Sequence, residues 1–253
     1  MKYTEIVPSD KFNNLVLNYW TFEIPEATNE AQEFVHQIMP ENTVSIVFIN
    51  QPFYKGIRLL GPQTERLLQT IYPGSFYLGV RINPWVKIES IIPDKEQLIN
   101  KTNPAPNFIN NLFKEININF LSQNFTDYHL IEKGLLKLIE NKKIVIDPLV
   151  KYICLQLTQD VKINQLIKSI PLSIRPVQKK FKSTTGMTMS NFRSIHRLQN
   201  TTRMVYLNKD SIVEAAFENN YTDHSHFINT FKKYMKISFK EFLLKTESIE
   251  LFT

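Results

Sequence analysis

Arg175, Gln178 and Lys179 lie three and four residues apart, a spacing that puts all three on one side of a helix. Their chemistry suits base recognition. Arginine or lysine pairs with guanine O6 and N7, and glutamine with adenine N6 and N7, each good bidentate contact supplying about 1–3 kcal/mol of discrimination. Fifty residues on, His224, Ser225 and Asn229 occupy the matching stretch, and asparagine also pairs with adenine. Lys180, Lys182, Lys232 and Lys233 are placed as cations for phosphate oxygens, which fix register without naming a sequence. Other reactive types are dispersed. His224 and His226 are two apart, a spacing that splays them on a helix, while His36, His129 and His196 are scattered and form no HExxH pattern. No metal site is expected. Cys154 lies in an apolar run and reads as a packed thiol, and Asp94 and Glu96 read as solvated carboxylates. The chain has no Gly-rich phosphate loop, no GxSxG and no CxxC, so neither catalytic residues nor a cofactor are expected.

The elements that position these residues are written twice. Ser173-Ile174-Arg175-Pro176-Val177-Gln178-Lys179-Lys180-Phe181-Lys182 continues to Gly186-Met187-Thr188-Met189 and Phe192, and Asp223-His224-Ser225-His226-Phe227-Ile228-Asn229-Thr230-Phe231-Lys232 continues to Lys236-Ile237-Ser238-Phe239 and Phe242. The offset is fifty residues throughout, without a gap. Each copy begins with a candidate N-cap (Ser173, Asp223), and then carries apolar residues four apart, Val177 with Phe181 and Phe227 with Phe231. That stripe predicts a short helix seated on a core, with its polar stripe free to face a groove.

Charge follows the repeat. Residues 158–253 hold 15 Lys+Arg against 8 Asp+Glu, whereas residues 1–157 hold 15 against 16, within a formal net charge of +6. A basic half beside a neutral half predicts one domain that meets a polyanion and one that does not. With 253 residues, 43% of them hydrophobic, the chain is long enough for two domains, divided as 1–145 and 146–253. The single cysteine, the absence of a roughly 20-residue apolar run and the polar start of the chain predict a cytoplasmic protein with no membrane partner.

Before residue 100 the pattern is that of strands, at Tyr19–Ile24, Val44–Ile49, Ile57–Leu60, Leu67–Ile71, Ser75–Ile82 and Trp85–Ser90, punctuated by Gly61-Pro62, Pro73-Gly74 and Asn83-Pro84. A small β-barrel or sandwich is expected. Helices are predicted at 94–100, 107–116 and 127–140, the last capped by Asp127 with an apolar stripe of Tyr128, Ile131, Leu135 and Leu138. That stripe packs on its own barrel or on a second copy of the chain, with the homodimer slightly favoured. Segment 141–148 is the predicted joint. Beyond it, helices are predicted at 147–157, 162–169, 173–183, 188–207, 210–218, 223–234 and 238–244. The fold class is therefore α+β, a β-rich N-terminal domain followed by an all-α domain with two helix-turn-helix units. Trp20, Phe22, Phe48, Tyr77 and Trp85 line a small-molecule pocket or simply fill the β core. Arg197 and Arg203 on the linking helix meet phosphate, cover the core or pair with acids.

At Ser173-x-Arg175-x-Val177-x-Lys179-x-Phe181-Lys182, Gly186, Phe192 and Arg197, and again from Ile212-Val213-Glu214-Ala215-Ala216 through Tyr221-Thr222-Asp223-His224-Ser225-His226-Phe227 to Phe231-Lys232-Lys233-Tyr234, the chain resembles the DNA-binding domain of the AraC/XylS family of bacterial transcription regulators. The front half is similar to a β-rich module of such regulators at Pro40, Gly61-Pro62-Gln63-Thr64 and Gly79-Val80-Arg81-Ile82-Asn83-Pro84. The resemblance implies double-stranded DNA as partner, with Arg175, Gln178, Lys179, Lys182, His224, Ser225, Asn229, Lys232 and Lys233 at the interface, and a small effector oriented by Gln63, Thr64 and Arg81. The chain departs from the family pattern at Asn220 and Lys236, where glycine is usual, at Met189 and Phe239, where proline is usual, and at Asn229, where arginine is frequent. Two rivals remain: a non-specific DNA-binding or interaction protein without an effector, and a metal-dependent β-barrel enzyme with a helical appendage.

Overall fold

Val44-Ser45-Ile46-Val47-Phe48-Ile49 has almost no polar face, and in the computed structural model it forms a strand buried on both sides. The structure describes residues 1–26, 33–88, 95–114, 128–140, 144–208, 210–246 and 250–252. Asp94, the cap expected at Asp127, the end of the 107–116 segment, the start of the 141–148 joint and the side chains of His129 and Leu138 lie outside the described residues. Eleven strands are described: β1 (Lys2–Ile6), β2 (Val16–Glu23), β3 (Phe34–Ile38), β4 (Val44–Gln51), β5 (Tyr54–Leu60), β6 (Leu67–Ile71), β7 (Phe76–Ile82), β8 (Val86–Ile88), β9 (Thr102–Pro104), β10 (Ile144–Ile146) and β11 (Glu250–Phe252). Seven make one sheet in the order β11-β1-β2-β7-β4-β5-β9, while β3 pairs with β6 and β8 with β10 as two-stranded ribbons.

Alternation along paired strands gives the large sheet two apolar faces. Ile46 opposite Val80 and Phe48 opposite Leu78 join the larger core, where Tyr19, Ile131, Leu135 and the first helices of the C-terminal half meet them. Val47, Ile49 and Tyr77 face the other way and, with Phe22, Leu60 and Ile71, wall a second core toward the β3–β6 ribbon. The period of two thus explains both faces of β4 and β7.

The described α-helices are α1 (Asn107–Leu112), α2 (His129–Glu140), α3 (Pro148–Thr158), α4 (Ile163–Ser169), α5 (Ile174–Thr185), α6 (Met189–Arg203), α7 (Ile212–Glu218), α8 (His224–Met235) and α9 (Phe239–Thr246). The helix expected at 94–100 is instead a 3-10 turn, Lys95–Leu98, and the long linking helix closes at Arg203 into a π turn, Met204–Asn208. Of the apolar stripe on α2, the described side chains are covered by this chain itself: Ile131 and Leu135 are completely buried in its own core, and Tyr128 stacks on Tyr19 with ring centroids 4.7 Å apart.

The larger core runs without interruption from Phe12 and Phe48 through Val150, Ile153 and Leu157 to Phe181 and Phe192. The front sheet and the first helix-turn-helix unit therefore share one interior. The second unit has a separate cluster around Phe227, Phe231, Phe239 and Phe242, onto which Met39 of the front half packs.

Repetition in sequence becomes repetition in space. Phe181 meets Phe192 edge to face at 5.6 Å, and their fifty-residue counterparts, Phe231 and Phe242, do so at 5.3 Å. Thr188 caps α6 by accepting from Asn191 N, as Ser238 accepts from Glu241 N. Asp223 caps α8 by accepting from His226 N at 2.7 Å, but Ser173 makes no side-chain cap bond on α5. The reason is Pro176, which occupies the third helical position and has no N–H for the serine oxygen. At the other end, Gly186 and Lys236 close α5 and α8 with the same left-handed backbone, φ 84° and 55°. Only glycine enters that region without steric cost. Lys236→Gly is expected to stabilise the protein by about 1 kcal/mol, raising Tm by roughly 2–4 °C in a thermal melt. An unchanged or lowered Tm would contradict the strain assigned to Lys236.

Candidate nucleic-acid interface and barrel cavity

The first helix-turn-helix unit consists of α4 and α5. Val177 and Phe181 fix α5 on the core, and this turns Arg175, Gln178 and Lys179 outward, all exposed. Among the described residues, no carboxylate pairs with Arg175 or Lys179. The last turn differs. Lys182 Nζ lies 2.6 Å from Glu96 Oε2 in the 3-10 turn, and Lys180 Nζ lies 2.8 Å from Asp147 Oδ2 at the cap of α3. Burial raises the Asp147 carboxyl, but Lys180 and the Leu149 and Val150 amides outweigh it and hold the group below its ordinary range. Lys182 thus already holds an anion in this conformation, through a half-exposed pair that a phosphate can replace at small cost.

In the second unit, α7 and α8, the buried pair Phe227 and Phe231 leaves His224, Ser225 and Asn229 exposed. His226, in the first turn of α8, packs its ring edge-on against Tyr221 at 5.2 Å. Lys232 and Lys233, both exposed, occupy the last turn, where the helix dipole favours cations, and the Lys233 ammonium lies 5.6 Å from the Tyr234 ring centroid. Arg197 and Arg203 of α6 are engaged within the chain. The Arg197 guanidinium donates to Asn219 O at 2.7 Å and stacks over Tyr221, while Arg203 pairs with Glu5 at 3.4 Å.

A second candidate site lies between the β3–β6 ribbon and the large sheet, a cavity of about 420 Å³. Beside it, a cleft of about 600 Å³ runs between the sheet and α6, and the two share Tyr3, Phe22, His36, Ile38, Glu41 and Arg81. Arg81 lies at that junction, 2.6 Å from both Glu5 Oε1 and Glu41 Oε1. Burial opposes its charge, yet Glu41, Tyr3 and Glu5 together hold the guanidinium protonated above its ordinary value. Glu5 also accepts from the Tyr3 hydroxyl at 2.6 Å and meets Arg203, so that a chain of charge joins the cavity to α6. Asn42 and Gln199 add uncharged bonds across the same junction, to Phe192 O and Pro40 O.

Of the residues expected to orient an effector, Arg81 lines the cavity but Gln63 and Thr64 do not. Buried Gln63 donates to Gly61 O at 2.7 Å, and Thr64 bonds Asn100, so both brace the turn after β5. Arg58, His36, Glu5 and Glu41 were not visible as site residues in the sequence, since each comes from a different strand or loop and no local spacing joins them. Tyr77 and Trp20, expected as pocket or core, line the cavity, while Phe48 lies in the core on the opposite face.

Residues 166–245 match the family model described as a helix-turn-helix domain, and residues 4–88 match one described as a domain of unknown function (DUF6597). Comparison with curated proteins found no match. Among solved structures, ToxT from Vibrio cholerae is 14% identical, with 85% of this chain and 98% of ToxT covered and a TM-score of 0.49. ToxT bound to (E)-4-(8-methylnaphthalen-1-yl)but-3-enoic acid is matched over 85% of this chain and 99% of ToxT, at 14% identity and a TM-score of 0.48. The xylose-binding transcription activator XylR is 22% identical over 40% of this chain, with a TM-score of 0.34, and the match spans 28% of that protein's length.

Proposed function

We propose that this chain, whose residues 166–245 match a helix-turn-helix domain, is a transcription regulator of the AraC/XylS family and reads two successive major grooves with α5 and α8. The observation that carries the reading is the outward face of α5: Arg175, Gln178 and Lys179 are exposed beside one another on a helix whose opposite stripe is anchored in the core. Side chains that project freely from a fixed backbone are what base readout requires. On α8, Asn229 and Ser225 supply neutral donors and acceptors, and Lys232 and Lys233 supply phosphate contacts. Two half-sites about 34 Å apart on one DNA face are the expected operator geometry.

Control is assigned to the front half. A small effector seated in the barrel cavity touches Arg81, and through Glu5 and Arg203 it biases the pose of α6 and the two reading helices. Hydroxyl-radical and methylation footprinting on operators selected from random DNA tests the reading. Protection of two adjacent major-groove segments on one face is the expected pattern. Equal affinity for selected and random DNA at matched salt would favour the non-specific alternative instead.

A further inference from the structure

The geometry points to a small apolar organic acid as the ligand of the barrel cavity, its carboxylate held by Arg58 and its body against the aromatic wall; this rests on the reading of that cavity as an effector site. The argument begins with which polar groups are already engaged. Arg81, the more conspicuous cation, is flanked by Glu5 and Glu41 at 2.6 Å each and has no charge left to offer an anion. Those carboxylates are likewise engaged by Arg81, and Glu41 also accepts from the Thr43 hydroxyl, so neither is open to a cationic ligand. Gln51 and Tyr77 bond each other.

Arg58 is different. It lines the cavity from β5, and among the described residues it meets no carboxylate. Its guanidinium reaches back along the strand and lies 4.8 Å from the Tyr54 ring centroid. Gly56, between them, leaves room for this: a Cβ there would come within 2.8 Å of the Tyr54 hydroxyl, so any larger residue would push the ring away from its place on the strand. Stacking fixes the plane of the guanidinium and leaves its N–H edge for a planar, two-oxygen partner.

The opposite wall repeats the device. Trp20 lies flat over Gly79, where a Cβ would come within 1.9 Å of the indole, and its buried Nε1–H has no acceptor among the described residues. His36, tilted against Phe22 with ring centroids 4.8 Å apart, is pushed down to about 4 by burial and stays neutral at physiological pH. The groups left open to a ligand are therefore a cation and neutral donors, between Val47, Ile49, Leu60, Leu67 and Ile71. An apolar molecule with a carboxylate satisfies both halves of that surface, whereas an ammonium finds no partner and would be desolvated without compensation.

The test uses the full chain and three matched probes, 6-phenylhexanoate, 6-phenylhexan-1-ol and 6-phenylhexylammonium, titrated by calorimetry in the absence of DNA. The acid is expected to bind at least tenfold tighter than the other two. Arg58→Gln should remove that advantage while leaving the affinity of the alcohol unchanged, which also reports an intact cavity, and Arg58→Lys should restore part of it. An alcohol or ammonium that binds as tightly as the acid, or an acid indifferent to Arg58→Gln, would overturn the assignment to an acid on Arg58 and leave the cavity as a site for another class. Failure of all three probes to bind would overturn both the assignment and the reading of the cavity as an effector site.

Discussion

Arg175→Ala combined with Lys179→Ala is expected to weaken binding to a selected operator by about 2–6 kcal/mol, roughly 30- to 20,000-fold, since each bidentate base contact contributes about 1–3 kcal/mol. Neither side chain is buried, and neither has an acidic partner among the described residues, so the loss should come without a change in thermal stability. The control is the pair Lys232→Ala and Lys233→Ala on α8. Phosphate contacts act on every sequence alike, so that pair should lower affinity for selected and random DNA by the same factor and flatten the salt dependence, by about 0.9 in log–log slope for each contact removed. Gel-shift titrations at several salt concentrations separate the two outcomes. Should the Arg175/Lys179 variant lose affinity for random DNA as much as for the operator, α5 would be a phosphate clamp and not a reading helix.

Replacing Lys95 with methionine is expected to abolish a pH dependence of stability that the native chain carries. Lys95 opens the 3-10 turn beside α5, is 3% exposed, and its Nζ donates to Pro84 O at 3.0 Å. Burial pushes the amine down from 10.5 to about 7. Between those values the unfolded chain binds the proton more tightly than the folded one, so stability rises with pH across that window, and below about 7 the folded protein bears the full cost of the buried charge. From pH 7 to 8.5 the gain should be about 2 kcal/mol in urea denaturation, at nearly 1.4 kcal/mol per pH unit. The window stops there because the buried Cys154 thiol and the buried tyrosines Tyr3, Tyr19, Tyr128 and Tyr221, all pushed up by burial, take stability away at higher pH in both proteins. Lys95→Met should remove the gain, and at pH 6 the variant should be more stable by about 2–4 kcal/mol, the lost bond to Pro84 O offsetting part of the benefit. Parallel pH profiles for the two proteins would show that Lys95 stays charged and solvated. The same position ties stability to the reading helix, because Lys95 O lies against the Gly186 turn that ends α5.

Much of the helical half is legible in one dimension. The apolar pairs Val177–Phe181 and Phe227–Phe231 and the cap Asp223 act within a few residues of themselves, and helix positions followed from them to within a few residues, whereas the caps Thr188 and Ser238 emerged only in the structure. Where the local rule failed, a local cause is visible: Ser173 lost its cap bond because Pro176 offers no N–H. In the front half, β1 and β3 escaped notice because their edges are partly exposed and their alternation is weak, so pairing partners rather than composition make them strands. The α2 stripe was ambiguous for another reason. Periodicity says that Ile131 and Leu135 need cover, and only the packed barrel says that this chain supplies it.

The sequence alone determined the kind of molecule, because a helix-turn-helix is built from contacts three to eleven residues apart and the fifty-residue repeat states those contacts twice. Tertiary structure decided which charges remain available. Glu5 and Glu41 are balanced by Arg81 and Arg203 across β1, the approach to β4, β7 and α6, Lys182 leans on Glu96, Lys95 is enclosed, and Arg58 is left over the Tyr54 ring at the cavity with no carboxylate partner among the described residues. Coulombic pairing and desolvation depend on distance through space, and no spacing along the chain encodes which distant segments fold into reach.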